Sequence, residues 1–325
     1  MLRGTRALVT GVTGLVGSAL THVLLERGVE VHGLVLPEPE QDSALVRSGD
    51  FARVHVHTGR LQDPGGVERV VRDARPELVF HLGAQPLVEY AHEDPTTTFE
   101  VNVRGTWALL DACRKMKDPP RAIAVASSDK AYGASDKLPY VESDPLDGRE
   151  PYEASKTMTD VLARTYAQTY GLPTRVARCG NIYGPGDWNW SRIVPGTIRS
   201  LLKGERPILR SDGTPIRDYI HVSDVVSAYL ALAEADVAPG EAFNFSSGER
   251  LSVRGVVDLI AAAMGSRLEP VVLGTAKGEI NVQYLDSSKA ARAFAWSASR
   301  RMAESLPATI DWYRELLGVP VPART

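Results

Sequence analysis

Six short apolar runs, at 7–9, 29–35, 54–56, 78–82, 122–126 and 174–177, alternate with stretches of helical periodicity through the first half of the chain. Such runs bury both faces when they lie side by side in a parallel sheet covered by crossover helices. The first unit is the clearest. Leu15, Val16, Ala19, Leu20, Val23 and Leu24 make one helical face, and Arg27 and Gly28 supply a cationic last turn and a glycine stop. Two segments, 96–116 and 152–170, are long enough to be extended helices, and an exposed pair of this kind suits a dimer interface.

The alternation breaks after Cys179, where Gly184, Pro185, Gly186, Asp187, Trp188, Asn189 and Trp190 read as an aromatic loop. An amphipathic segment at 198–202, an apolar run at 207–209, a turn at Asp212 and Gly213 and a helix at 224–235 follow. The predicted architecture is α/β: a Rossmann-type doubly wound parallel sheet over 1–178 and a smaller α/β C-terminal lobe over 179–325. The chain is expected to return to the main sheet around 216–246. The Pro-containing tail after Leu317 is expected to fray.

Composition narrows the function classes. Lys and Arg total 37 against 40 Asp and Glu, a net charge of -3 that offers no footprint for a polyanionic backbone. No run approaches the roughly 20 apolar residues of a membrane helix, and the opening apolar stretch is too short for a signal-peptide core. Cys113 and Cys179 lack metal-ligand spacing, so no metal site is expected, and a reduced, cytoplasmic setting is.

Directly after the first strand, Gly11, Val12, Thr13, Gly14, Leu15, Val16 and Gly17 lead into the amphipathic helix. Glycines there tighten the turn and let backbone N–H groups approach a dinucleotide pyrophosphate at the positive helix end. The spacing differs by one residue from GxGxxG. The second strand ends at Gly33, Leu34, Val35 and Leu36 with no acid for a ribose, so NAD and NADP both stay open. Glu38 either reaches the ribose or is a solvated loop carboxylate.

Tyr152 and Lys156 lie four residues apart on one helical face, where an ammonium would lower the phenol's pKa and make it a usable base. Ser127 and Ser128 end the fifth strand at the edge where such sheets bind ligands.

With these residues in place, the chain resembles an extended short-chain dehydrogenase/reductase of the NAD-dependent epimerase/dehydratase family acting on nucleotide sugars. The resemblance rests on Gly11, Gly14 and Gly17; His81 to Gln85; Asn102 to Thr106; and Ser128 with Tyr152 and Lys156. It continues through Asn181 to Pro185, Arg217 to Val222, Leu285 to Ala290 and Ile310 to Tyr313, nearly the whole chain.

The resemblance implies a bound NAD held by Gly11, Thr13, Gly14, Leu15, Val16, Gly17, Leu61, Leu82, Gly83, Ala84, Gln85, Tyr152 and Lys156. It implies a nucleotide-diphosphate sugar met by Pro86, Asn102, Asn181, Arg192, Ile193 and Arg217, and a homodimer. Arg217 either bridges phosphates or pairs with Asp218. Trp188 and Trp190 either face the nucleobase or sugar or close a core. Asp63, Arg60 and Leu61 fall where relatives touch adenine, with Arg60 in place of the usual acid.

Ser128, Asp129, Lys130, Ala131 and Tyr132 bear on the reaction. Asp-Lys after the hydroxyl residue is locally most similar to CDP-glucose 4,6-dehydratases. In that reading Asp129 is the acid for the departing hydroxyl, and Lys130 is the base at C5 or a cation beside the enolate. The alternative is a plain ion pair, which a 4-epimerase would tolerate; residues 210–217 and the final third lean toward epimerases. A 4-ketosugar reductase is a third reading, separated by its consumption of cofactor.

Overall fold

The computed structural model describes residues 2–38, 43–276 and 280–320; residues 321–325 of the tail lie outside them. The strands β1 (Arg6–Thr10), β2 (Glu30–Val35), β3 (His55–Thr58), β4 (Leu78–His81), β5 (Ala122–Ala126) and β6 (Thr174–Cys179) match the six apolar runs. The first half carries the helices α1 (Leu15–Glu26), α2 (Ala44–Arg47), α3 (Pro64–Ala74), α4 (Val88–Glu93), α5 (Pro95–Phe99), α6 (Gly105–Arg114) and α7 (Pro151–Tyr170). The second half adds β7 (Asn181–Tyr183), α8 (Ile193–Leu202), β8 (Ile208–Leu209), β9 (Ile216–His221), α9 (Val222–Glu234) and β10 (Ala242–Phe245). It ends with β11 (Arg250–Ser252), α10 (Val253–Met264), β12 (Val271–Val272), β13 (Val282–Gln283), α11 (Ser288–Phe294) and α12 (Met302–Leu317).

Seven strands form a wholly parallel sheet in the order β10-β6-β5-β4-β1-β2-β3. Strand order reverses between β1 and β4, which opens a crevice at their carboxyl ends. Period-two alternation divides β1 between two cores. Ala7 and Val9 join Leu20 and Leu24 of α1 and Val225 and Tyr229 of α9, whereas Leu8 joins Val67 and Val71 of α3 and Leu109 of α6.

A third core of Tyr183, Ile198, Tyr219, Ile260, Leu306 and Tyr313 belongs to the small lobe. There β9 pairs with β7, β11 and β13. The return to the main sheet expected around 216–246 is made by α9 and β10, while β9 stays in the small sheet.

The segment expected as one helix over 96–116 is divided. A π-helical turn, Glu100–Arg104, separates α5 from α6. Its Asn102 carbonyl accepts from the Thr106 hydroxyl at 2.5 Å and the Thr159 hydroxyl at 3.1 Å, so side chains serve a carbonyl that a regular helix would satisfy internally. Among the described residues, no helix is long and apolar enough to cross a membrane.

Candidate active site

The glycine turn sits between β1 and α1. Gly11 has φ +69°, and a Cβ there would lie 2.8 Å from Gly83 Cα, so the β1 and β4 ends meet backbone to backbone. A Cβ on Gly17 would lie 1.9 Å from the Gly11 carbonyl oxygen, which lets α1 start flush against the turn. Gly14 caps α1 without a side-chain hydrogen bond, and the first turn holds no acid. The first N–H groups and the positive helix end are thus left for an anion. Thr13, Leu15 and Val16 flank this opening and are partly exposed.

Leu61 wedges beside Gly83 and Gly105, whose added Cβ atoms would lie 2.8 and 2.7 Å from its side chain. Leu82, Gly83 and Ala84 line the end of β4 next to Gly11. Glu38 is the solvated loop carboxylate of the two readings: it pairs with Arg60 at 2.9 Å on the surface. Asp63 caps the start of α3 without a side-chain hydrogen bond.

A directional chain of hydrogen bonds braces the crevice. Gly83 N donates to Thr10 Oγ1 at 3.0 Å, and Thr10 Oγ1 lies 2.9 Å from His81 Nδ1. His81 Nε2 lies 3.0 Å from Thr106 Oγ1, whose own proton goes to the Asn102 carbonyl. Nε2 is therefore the donor and Nδ1 the acceptor of a neutral imidazole. Burial, with Lys156 nearby, pushes His81 down to about 3.

Asn102 and Gln85 bond each other and the protein around them. Asn102 is 2% exposed; its amide donates to Gln85 O at 3.0 Å and Ser155 Oγ at 2.9 Å, and its oxygen accepts from Gln85 N at 2.7 Å. The Gln85 side chain turns to Leu87 and Thr98. Both amides spend their hydrogen-bonding capacity inside the protein, joining the loop after β4 to α7.

At the end of β5, Ser128 Oγ donates to Asp129 Oδ1 at 3.0 Å and accepts from Lys130 N at 3.2 Å, and Ser128 is one of the groups that lower the Tyr152 pKa. Tyr152 and Lys156 project from α7, whose start is set by Pro151 and a Glu150/Glu153 capping box. Lys156 is buried and donates to Ala126 O at 3.0 Å; burial lowers it to about 8. Lys156 was expected to depress the Tyr152 phenol. Instead burial pushes Tyr152 up to about 12, and Arg192 is the leading charge pulling it down, with Asp129 pushing it further up.

Asp129 is 1% exposed, and its Oδ2 has no hydrogen-bond partner among the described residues. Lys130 Nζ stands 3.6 Å from Asp129 Oδ1 and donates to Asn181 Oδ1 at 3.3 Å and Gln283 Oε1 at 3.2 Å. Gln283, wholly buried on β13, escapes a reading of the sequence because nothing local distinguishes it. Arg217 lies opposite Gln283 in the strand register, so the structure gathers Asn181, Lys130, Gln283 and Arg217 on one side of the crevice.

Arg217 is buried and donates from Nη1 to Ile216 O at 2.9 Å. Its neighbour Asp218 bonds Ser246, Ser247 and Leu285. Burial raises Asp218 to about 6. Arg192 caps α8 and pairs with Asp187 at 3.1 Å; Ile193 follows it against the small-lobe core. Pro86 is exposed beside the β4 loop. Trp188 packs edge-on to Trp312 at 5.8 Å and Trp190 against Tyr313 at 5.7 Å, so both help close the small lobe; Trp188 Nε1 is buried without a partner among the described residues. Among the described residues no cluster could hold a metal ion.

The model of the NAD dependent epimerase/dehydratase family matches residues 7–246, which span the glycine turn, the Ser128/Tyr152/Lys156 set and β10. The chain belongs to this family. It is 34% identical over 314 residues to a dTDP-glucose 4,6-dehydratase of Streptomyces antibioticus, covering 95% of this chain and 92% of the relative. It is similar to the UDP-glucose 4-epimerase of Thermotoga maritima, solved with UDP-glucose, with a TM-score of 0.88, 28% identity and 96% and 99% coverage. It is also similar to DesIV, a dTDP-glucose 4,6-dehydratase of Streptomyces venezuelae solved with NAD and TYD bound. That match has a TM-score of 0.87, 29% identity and 98% and 100% coverage.

NAD is the family's cofactor and this chain's. The crevice fits it: an uncapped, acid-free helix start faces a turn in which added Cβ atoms would collide with backbone. As a member of an epimerase/dehydratase family with this site, the chain is an enzyme.

Proposed function

We propose that the chain is a nucleotide-sugar 4,6-dehydratase that oxidises C4, eliminates water across C5 and C6 and returns hydride to C6. The observation that carries this reading over epimerisation is Asp129 Oδ2, a buried carboxylate oxygen on the turn after β5 with no partner among the described residues. Leaving such an atom unpaired costs about 1–3 kcal/mol, and a 4-epimerase has no use for it. An elimination needs an acid there.

The roles follow from the contacts. NAD, when bound, accepts the C4 hydride and gives it back at C6. Tyr152 takes the C4 hydroxyl proton, and Ser128 hydrogen-bonds the oxygen that becomes the ketone. Asp129 takes the C5 proton and passes it to the departing O6, and once hydride is back at C6 the proton that Tyr152 took from O4 returns to C5. Lys130 faces three oxygens with three N–H donors, which suits the cationic role beside the enolate rather than that of base at C5. Asn181 and Arg217 hold the diphosphate.

The opposing reading, a 4-epimerase, draws support from the same Asp129–Lys130 contact taken as a plain ion pair and from the likeness to the Thermotoga enzyme. Purified protein with catalytic NAD and CDP-, UDP-, GDP- and dTDP-glucose separates the two by product mass and cofactor absorbance. Loss of one water without net cofactor use is the expected result; an isobaric product makes the protein an epimerase, and stoichiometric cofactor use makes it a reductase. In Asp129→Asn, water loss falls by about a hundredfold or more while C4 oxidation persists.

The proposal includes a cytoplasmic homodimer. Its support is the outer face of α7, where Met158 is 44% and Val161 50% exposed; sedimentation at micromolar protein tests the dimer.

A further inference from the structure

Gln283 is held more tightly than any role so far assigned explains. Its side chain is wholly buried, with Oε1 accepting from Lys130 Nζ at 3.2 Å and Nε2 donating to Asp129 O at 3.0 Å. Rotating the amide would set NH2 against an ammonium and oxygen against a carbonyl, so one orientation fits. Lys130 lies 153 residues away in sequence. Three oxygens from three elements surround its ammonium: Asp129 Oδ1 on the turn after β5, Asn181 Oδ1 on β7 and Gln283 Oε1 on β13. The two amides take the shorter contacts, and the carboxylate stands off at 3.6 Å.

We infer that Gln283 is a positioning residue for the elimination: it holds Lys130 away from direct contact with Asp129, leaving Oδ2 available to carry the proton to the departing hydroxyl. Without the Gln283 oxygen, the strongest acceptor left to the ammonium is the Asp129 carboxylate, and a charge-assisted bond there ties the carboxylate up. The other ionisable groups that feel Asp129 are Tyr152 on α7, Tyr140, Cys179 on β6 and Asp218 on β9; Lys130 is the cation that stands off from it at 3.6 Å. Because Gln283 on β13 pairs in register with Arg217 on β9, the strand that sets Lys130 lies directly beside the strand that would grip the diphosphate. This inference rests on the dehydratase reading.

The test compares wild type, Gln283→Met, Gln283→Glu, Lys130→Met and the Gln283→Met/Lys130→Met double variant on the same four nucleotide glucoses. C4 oxidation is read as the cofactor absorbance transient of a single turnover, water loss by product mass, and folding by thermal melting. Gln283→Met keeps chain length but removes both hydrogen bonds. In it, C4 oxidation stays at the wild-type rate and water loss falls on the order of a hundredfold, so the transient persists. Gln283→Glu keeps an acceptor for Lys130 and holds water loss within about tenfold of wild type. In the Lys130→Met background the Gln283 substitution has no further effect on water loss.

Equal slowing of both half-reactions in Gln283→Met, without rescue by Gln283→Glu, marks a structural role and overturns the inference. So does unchanged water loss in Gln283→Met while wild type dehydrates, which leaves the dehydratase reading standing. If Gln283→Met does not fold, collapse of water loss in folded Gln283→Glu overturns it. An isobaric product from wild type overturns the dehydratase reading and the inference with it.

Discussion

Arg178 and Asp160 form a fully buried two-bond ion pair, Nε to Oδ2 at 2.7 Å and Nη2 to Oδ1 at 2.9 Å, that ties β6 to the helix carrying Tyr152 and Lys156. Arg178 also donates to Tyr132 Oη at 2.7 Å, and Tyr132 passes its proton to Asn244 Oδ1 at 2.8 Å. The turn bearing Asp129 and Lys130 is thereby anchored from behind. Asp160→Ala, which strands a buried guanidinium, is expected to cost about 3–5 kcal/mol in urea unfolding. Replacing both partners with apolar residues of similar volume recovers much of that loss.

Gly11 and Gly171 share a φ of +69° but not their surroundings. A Cβ at Gly11 meets the Gly83 backbone, whereas one at Gly171, which ends α7, meets nothing within 4 Å. Gly171→Ala therefore adds backbone strain alone and leaves NAD affinity unchanged. Gly11→Ala adds strain and forces β1 and β4 apart at the crevice, and NAD affinity measured by calorimetry falls at least about tenfold.

The pH dependence of turnover follows from Tyr152 and Arg192. Burial holds the phenol high, and Arg192 is the first charge opposing that rise. A base acts in its deprotonated form, so the rising limb of kcat/KM lies below the pKa of the phenol. Removing the cation in Arg192→Met raises that pKa further, and the limb moves to higher pH by about one unit. A limb that stays in place while KM rises would limit Arg192 to substrate binding.

His81 makes the fold acid-sensitive. Its folded value of about 3 lies below the ordinary 6.5, so the unfolded chain binds the extra proton between those limits. The contribution is complete above pH 6.5 and is lost progressively as pH falls toward 3. Between pH 6.5 and about pH 5 the loss is about 2 kcal/mol. Melting temperatures across this range should fall more steeply for wild type than for His81→Gln, which cannot take up a proton.

Much of the site was legible because its signals are local. The Gly11/Gly14/Gly17 spacing announces a tight turn onto a helix, and Tyr152 and Lys156 share a helical face in any context. Asn102 and Gln85 carry no such signal. Whether a buried amide meets a ligand or its own protein depends on what folds against it, and here Ser155, Leu87 and Thr98 do. Lys156 shares the helical face of Tyr152, but the direction of its ammonium is set by the Ala126 carbonyl on another element.

The sequence alone determined the parallel α/β sheet, the tight glycine turn onto α1 and the chemical types of Ser128, Tyr152 and Lys156, because period, glycine spacing and side-chain chemistry are short-range properties. Tertiary structure decided the rest. It kept β9 in the small sheet, split the helix before α6 and brought Gln283 onto Lys130 from 153 residues away. Such pairings arise from how two lobes close on each other, and no residue spacing along the chain encodes them in readable form.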